Sequence, residues 1–269
     1  MKTLTSPPTP KKKRKSSSND ENIYEIPYEG KILVCDRVTR ILGATKSNVS
    51  LLRHYGDLGT DAAEKNRDEK SNLGKAVHAL IEQHLTGKQP DPDLPCSSSS
   101  AIRRFSHWLD WYEKHKITVA PGYRCAEHTV FSVYGLVAGT LDLHLLMAQV
   151  ETIYDTKTGK YMKRDFAQQV AIYALMEREG RARATGDTAA LEMFRKFWEL
   201  LEPPRIDWPK MGVLHIPAEA LTEWQINPDE AVEYAMDFAR RTKSFRFDQT
   251  MRPFRRVWPE TEEKYLRGC

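Results

Sequence analysis

Short runs of apolar, β-branched and aromatic residues, in places alternating with polar ones with a period of two, fill residues 125–157, broken at Gly135 and again near Ala148. That pattern predicts three strands, over residues 125–133, 136–147 and 150–157. On either side the period lengthens to that of a helix. Upstream, Val77, Ile81 and Leu85 fall one turn apart in residues 74–85, with Asn72 as candidate cap, and Phe105, Trp108, Leu109 and Tyr112 mark the apolar side of a second helix over residues 101–114. The proline- and serine-rich residues 89–100 between them read as a loop. Downstream, Phe166, Val170 and Ala174 line a helix over residues 165–178. Beyond it the spacing predicts a helix at 189–201, a strand at 211–216, another near Trp224, and a helix opened by Asn227 and Pro228 that runs to about Lys243. Residues 31–42 mix β-branched positions with a helix-like restart, and the polar residues 53–69 promise only short elements. The order helix, three strands, helix gives an α/β class with a mixed, mostly antiparallel central sheet flanked by helices.

A chain of 269 residues that is 40% hydrophobic can bury one large core. Residues 23–269 are expected to form one domain, with a C-terminal extension from about residue 185. Residues 1–22, rich in proline, serine and lysine, cannot offset the entropy of ordering and should form a disordered basic tail. Within it Lys11, Lys12, Lys13, Arg14 and Lys15 read as a nuclear-import signal that meets an import receptor, as a phosphate-binding arm, or as a solvated solubilising tail. No apolar run is long enough for a membrane span or a secretory signal, so the expected address is intracellular, in the cytoplasm, or nuclear if the tail is an import signal. The four cysteines, Cys35, Cys96, Cys125 and Cys269, lie scattered without a CxxC pair. They read as reduced thiols, and no iron–sulfur cluster is expected. The net charge of +4 is concentrated in the tail: residues 1–20 hold six cations against Asp20, which leaves the body near −1. A polyanion would have to be gripped by a local basic groove and bound cations.

Strand alternation puts Thr140, Asp142 and His144 on one face of the second strand, and Ile153, Asp155 and Lys157 on one face of the third. A tight turn at Ala148 and Gln149 would set Asp142 opposite Asp155 and Thr140 opposite Lys157. Facing carboxylates repel by up to about 1 kcal/mol, more when buried. A divalent cation compensates: two aspartates and a backbone carbonyl such as that of Thr156 suit magnesium, with manganese as a substitute. Lys157 beside them can orient the attacking water and stabilise charge on a phosphate.

The Gly-Thr-Leu-Asp of residues 139–142, the Asp-Thr-Lys-Thr of 155–158 and the Gln-x-x-x-Tyr of 169–173 together resemble the PD-(D/E)XK nucleases, most closely the RecB-type exonuclease domain. The resemblance covers residues 35–180 or so and implies a restriction-endonuclease-like core with helical additions. It also implies that His78, in the Gly-x-x-x-His of residues 74–78, is a metal ligand beside Asp142 and Asp155. Gln169 and Tyr173 would then contact substrate or brace the site. The residue two before the lysine is Asp155 where the family more often has Glu.

The expected activity is magnesium-dependent hydrolysis of DNA phosphodiester bonds, from ends or on single strands, with Asp142, Asp155 and Lys157 catalytic. The alternative is a catalytically inactive DNA-binding or recombination-accessory protein on the same fold. Plainer readings stand beside the sharp ones. Asp142, Asp155 and Lys157 can be a surface ion pair on a hairpin, and His78 a satisfied core histidine. Glu82 can support the metal ligands or be a solvated helix charge, and Glu127 can be an outer acidic ligand or an exposed edge-strand carboxylate. Gln169 and Tyr173 can simply pack. The basic, aromatic residues 245–258 can track a strand's phosphates or pack as a C-terminal segment.

Overall fold

The computed structural model describes residues 23–44, 56, 57, 59–117 and 125–257, with no account of side chains from 248 onward. The basic tail, Cys269 and the end of the basic aromatic segment lie outside the described residues. Among the described residues there are thirteen elements: β1 (Ile23–Tyr28), β2 (Lys31–Arg37), α1 (Val38–Ala44), α2 (Thr60–Thr86), α3 (Ser99–Lys114), β3 (Ala126–Ser132), β4 (Val137–Met147), β5 (Val150–Lys157), α4 (Arg164–Thr185), α5 (Thr188–Trp198), β6 (Lys210–His215), β7 (Thr222–Ile226) and α6 (Pro228–Val257).

All seven strands form one open, mixed sheet in the order β1-β2-β4-β5-β6-β7, with β3 paired to β4. The β2–β4 and β5–β6 pairs are parallel and the others antiparallel. Alternating residues feed two cores. Ile153 and Val213 pack with α1, α4, α5 and α6 on one face. Tyr154 and Leu214 pack with α2 and α3 on the other. Helix α4 is buried on nearly all sides from Gln168 to Glu177, because the sheet lies beneath it and three helices surround it. The residues after 185 belong to this same sheet, since β6 pairs with β5 from Thr152↔Lys210 to Lys157↔His215. Among the described residues no helix is long and apolar enough to cross a membrane.

Two expectations need correction. Asn72 is no cap: α2 begins at Thr60, twelve residues earlier, and Asn72 lies inside it. Its first half is polar on almost every side, so it has no apolar stripe, yet Ala, Glu, Lys and Arg there favour helix intrinsically. The strand faces also differ from simple alternation. Leu141 packs in the α4-side core, whereas Leu143, Leu145 and Met147 pack in the α2-side core. Asp142 and Leu143, adjacent in sequence, therefore lean to the same side, although the β3–β4 register is the same before and after them, Leu141 facing His128 and Leu143 facing Ala126. Opposite them Glu127 has φ 48°, a left-handed conformation that costs a non-glycine residue about 1 kcal/mol. Ala126 and Glu127 lean to the α2 side as well, while His128 stacks on His144 with ring centroids 6.0 Å apart. Both strands change sides together, so Thr140 and His144 do not share a face with each other.

The β4–β5 hairpin has the expected register, from Met147↔Val150 to Leu143↔Tyr154. Ala148 and Gln149 have φ 49° and 67°, as a two-residue turn of type I′ requires, although neither residue suits it. Replacing them with Asn and Gly (Ala148→Asn with Gln149→Gly) should raise the unfolding free energy by about 1 kcal/mol. Urea denaturation checks this, and a midpoint at or below the parent's would show that the turn is not strained.

Candidate active site

One edge of β4 is shared by two strands. β3 runs along the opposite edge from Ser132↔Val137 to Ala126↔Leu143. On the shared edge β2 pairs only with Val137 and Ala138, and β5 only with Leu143 through Met147. Residues 139–142 between them have no ladder partner on that side, because β2 has turned away into α1 and the end of β5 has parted from β4. The expected Asp142–Asp155 and Thr140–Lys157 pairs fall just past the last rung. A fork of this kind, where strand pairing switches, is where open sheets hold ligands.

Four groups close around the fork from the α2 side. His78, on the apolar face of α2, sends Nε2 to within 3.0 Å of the Thr156 carbonyl oxygen and Nδ1 to within 3.3 Å of Glu127 Oε1 and 3.6 Å of Asp142 Oδ2. The backbone N–H of Thr156 donates to Asp142 Oδ2 at 2.7 Å, a bond that replaces the missing rung. His78, Glu127 and Asp142 can each offer one ligand atom such that all three lie within 4.8 Å of one another. His78 and Thr156 O, 3.0 Å apart, stand at the separation of adjacent corners of an octahedron with bonds of about 2.1 Å. An imidazole, two carboxylates and a carbonyl form a set of donors that fits a hard divalent cation.

Asp155 and Lys157 stand on the other side of β5. Asp155 is 1% exposed, and neither of its oxygens has a well-directed hydrogen bond among the described residues. The Lys157 ammonium lies 2.5 Å from its Oδ2. Lys157 Nζ also lies 5.2 Å from the centre of the Phe166 ring on α4. A buried carboxylate with spare acceptor capacity is costly unless a cation satisfies it.

The groups on the two sides feel one another. Burial lowers the His78 pKa, but the charges of Asp142 and Glu127 outweigh it and bring the group up to about 9. The imidazole is then cationic at neutral pH and donates from both nitrogens. Burial pushes the Asp155 carboxyl up against the pull of Lys157, and the charge of Asp142 adds to the rise. Burial likewise works against the Lys157 charge, yet Asp155 and Asp142 hold its pKa above the ordinary lysine value. The fork is thus a concentration of negative charge that recruits any positive charge within reach.

The other expected residues are placed as follows. Gln169 and Tyr173 are 8% and 3% exposed, and Gln169 Nε2 donates to the Tyr173 hydroxyl at 3.0 Å. The Tyr173 ring covers Gly139, where a Cβ would fall 2.7 Å from the phenol Cζ and hydroxyl, so only glycine fits there. Burial and the charges of Asp155 and Asp142 push the Tyr173 pKa well up, so its hydroxyl stays protonated. Glu82 lines the recess beside His78, but its carboxylate is held by Lys88 Nζ at 2.8 and 2.9 Å. At the C-terminal end Phe245 is buried, and Arg246 donates to the Leu136 carbonyl at 3.0 Å, so this part packs.

The sequence reading missed Tyr24 and Arg37. The Tyr24 hydroxyl lies 2.9 Å from Thr140 Oγ1, and the Arg37 guanidinium sits 4.8 Å above the Tyr24 ring. Together they wall the β2 side of the fork. Apart from the aromatic residue itself, nothing in the sequence marks the strand that carries Tyr24. A second acidic group, His144, Glu151 and Glu177, is already neutralised: Glu151 accepts from Arg178 at 2.7 Å and from Arg181, and Arg181 also reaches Glu177 at 2.6 Å. That network ties the β4–β5 hairpin to α4.

No protein-family model matches this chain. No curated protein matches it either.

Because the folded pKa of His78 is raised above its ordinary value of 6.5, its proton stabilises the metal-free protein fully below that pH, and the stabilisation is lost as pH rises through about 9. In chelator, melting between pH 6.5 and 9.5 should reveal a loss on the order of 2 kcal/mol, which is roughly 5 °C for a domain this size. His78→Gln should flatten that slope, and equal slopes in the two proteins would show that His78 does not carry it.

Proposed function

We propose that the fork is the active site of a metal-dependent DNA nuclease of the PD-(D/E)XK type, on a restriction-endonuclease-like core, hydrolysing phosphodiester bonds at DNA ends or in single strands. One observation carries the reading: at the point where β4 changes partner, His78, Glu127, Asp142 and the Thr156 carbonyl converge on one side of β5, and a buried Asp155–Lys157 pair stands on the other. Support for the fold comes from the order of α2, the three strands β3 to β5, and α4, which matches the order of the sequence motifs.

His78, Glu127, Asp142 and Thr156 would hold magnesium or manganese, with Asp155 turning its unsatisfied oxygens to the same ion or to water beside it. A bound divalent cation supplies a water of lowered pKa and neutralises charge on the scissile phosphate. To bind it, His78 gives up its proton, so two carboxylates remain opposite an incoming dication. Lys157, kept cationic by Asp155 and oriented by it at 2.5 Å, donates to the attacking water or to a non-bridging phosphate oxygen. Asp142 is fixed by the Thr156 N–H and cannot swing out of the fork. Gln169 and Tyr173 act from behind: the tyrosine ring on Gly139 sets the depth of the fork, and the amide sets the ring.

Asp155→Ala and Lys157→Ala should each lower cleavage by about a thousandfold or more while the protein stays folded. The assay uses end-labelled single- and double-stranded DNA with magnesium, manganese or chelator, and circular dichroism monitors the fold. Wild-type rates in either variant would overturn the assignment. A wild-type protein that binds DNA but never cuts it with either metal would instead be an accessory protein on this fold.

A further inference from the structure

Between β5 and α4 the chain crosses the rim of the fork as Thr158-Gly159-Lys160-Tyr161-Met162-Lys163, then enters α4 at Arg164. This crossing is fixed at three places. His215 Nε2 donates to the Gly159 carbonyl at 2.7 Å. Thr158 abuts Gly74 of α2, where a Cβ would lie 3.3 Å from its Oγ1. The Met162 side chain packs into the α4-side core. With its neighbour anchored inward, Tyr161 stands outward, 66% exposed. Lys160, Lys163 and Arg164 around it are exposed too, and none pairs with a carboxylate among the described residues. Lys160 and Arg164 rest instead on aromatic faces, 5.2 Å from the Tyr161 centroid and 5.3 Å from that of Tyr234.

Although the body's net charge is near −1, three exposed cations without a carboxylate partner among the described residues lie within three residues of one exposed ring. The ring lies four residues past Lys157, at most about 14 Å along the chain from the lysine backbone, within the length of two or three nucleotides. A tyrosine face can stack on a base only if that base face is uncovered, and inside a duplex it is not. The cations match the phosphates on either side of such a base.

We infer that Tyr161 is a stacking platform for an unpaired base, flanked by Lys160, Lys163 and Arg164 as phosphate contacts, so that single-stranded nucleic acid is led over this rim to the fork. The inference rests on the proposed nuclease reading for why a strand should arrive there, but it is tested without cleavage.

Full-length protein is titrated in chelator against a labelled single-stranded oligothymidine and against a duplex of the same length, with anisotropy as readout. Residues 11–15 contribute equally in every variant. Tyr161→Ala should weaken single-strand binding about 5- to 150-fold and leave duplex binding nearly unchanged. Tyr161→Phe, which keeps the ring, should stay within about twofold of wild type. Removing the three cations together (Lys160→Ala, Lys163→Ala, Arg164→Ala) should weaken both ligands and flatten the salt dependence by about 0.7 per lost phosphate contact on the single strand. Unchanged single-strand affinity in Tyr161→Ala, an equal loss on both ligands, or no oligonucleotide binding by the wild type would each overturn the proposal. The two readings fail separately: a stacking effect without metal-dependent cleavage sinks only the nuclease, and cleavage with no Tyr161 effect sinks only the platform.

Discussion

A β-strand has two edges, and β4 pairs with three strands. β3 takes one edge from Val137 to Leu143, so β2 and β5 must divide the other, and because one runs parallel to β4 and the other antiparallel they approach from opposite ends. The interval of residues 139–142 cannot be filled by either. Its backbone must find other partners, since buried amide and carbonyl groups without them are costly. The site is what fills the interval: the Asp142 carboxylate takes the Thr156 N–H, the Thr156 carbonyl receives the His78 ring, and Tyr173 lies over Gly139. Remove the partner switch and these groups would face an ordinary ladder.

The same geometry explains the charges. Strict alternation would carry Asp142 and His144 to one face, but the paired distortion at Asp142 and Glu127 brings both carboxylates to the α2 side and leaves His144 to the Glu151–Arg178 network. Two sets of acidic groups a few residues apart thus meet different fates. Around Glu151 the arginines of α4 complete the neutralisation. At the fork His78 and Lys157 approach the carboxylates, and Asp155 keeps acceptor capacity that neither satisfies among the described residues. In the proposed function that remaining deficit of positive charge is the basis of cation affinity.

Much of this was legible in the sequence. β3, β4 and β5 stood out because short runs of apolar and β-branched residues are set off there by turn residues, and a two-residue turn at Ala148 and Gln149 was enough to set the register down to Leu143↔Tyr154. The Gly-Thr-Leu-Asp and Gln-x-x-x-Tyr segments, read separately, proved to be two halves of one contact between Gly139 and Tyr173. What stayed hidden had no periodic signal. β1 contains Pro27, tolerable because β1 is the outermost strand and pairs only with β2. The polar first half of α2 has no stripe to detect. The side-switch depends on a left-handed Glu127, and no residue type announces that conformation when it is not glycine or asparagine. That is why the sequence left Glu127 open between an outer acidic ligand and an exposed edge carboxylate, whereas the structure places it 3.3 Å from His78.

The parallel β5–β6 pair has a consequence for biogenesis. On a ribosome the segments bearing His78, Glu127, Asp142, Asp155 and Lys157 emerge well before residues 210–215, which cover the outer margin of β5. Until they arrive, Ile153 and Tyr154 sit on a bare strand margin open to pairing with other chains, the exposure that makes nascent proteins prone to aggregate. Closing that margin spans more than fifty residues of intervening chain, a long-range step that is slow compared with forming the helices. A translation product halted near residue 185 would carry every polar group of the fork and lack the strand that keeps them in place.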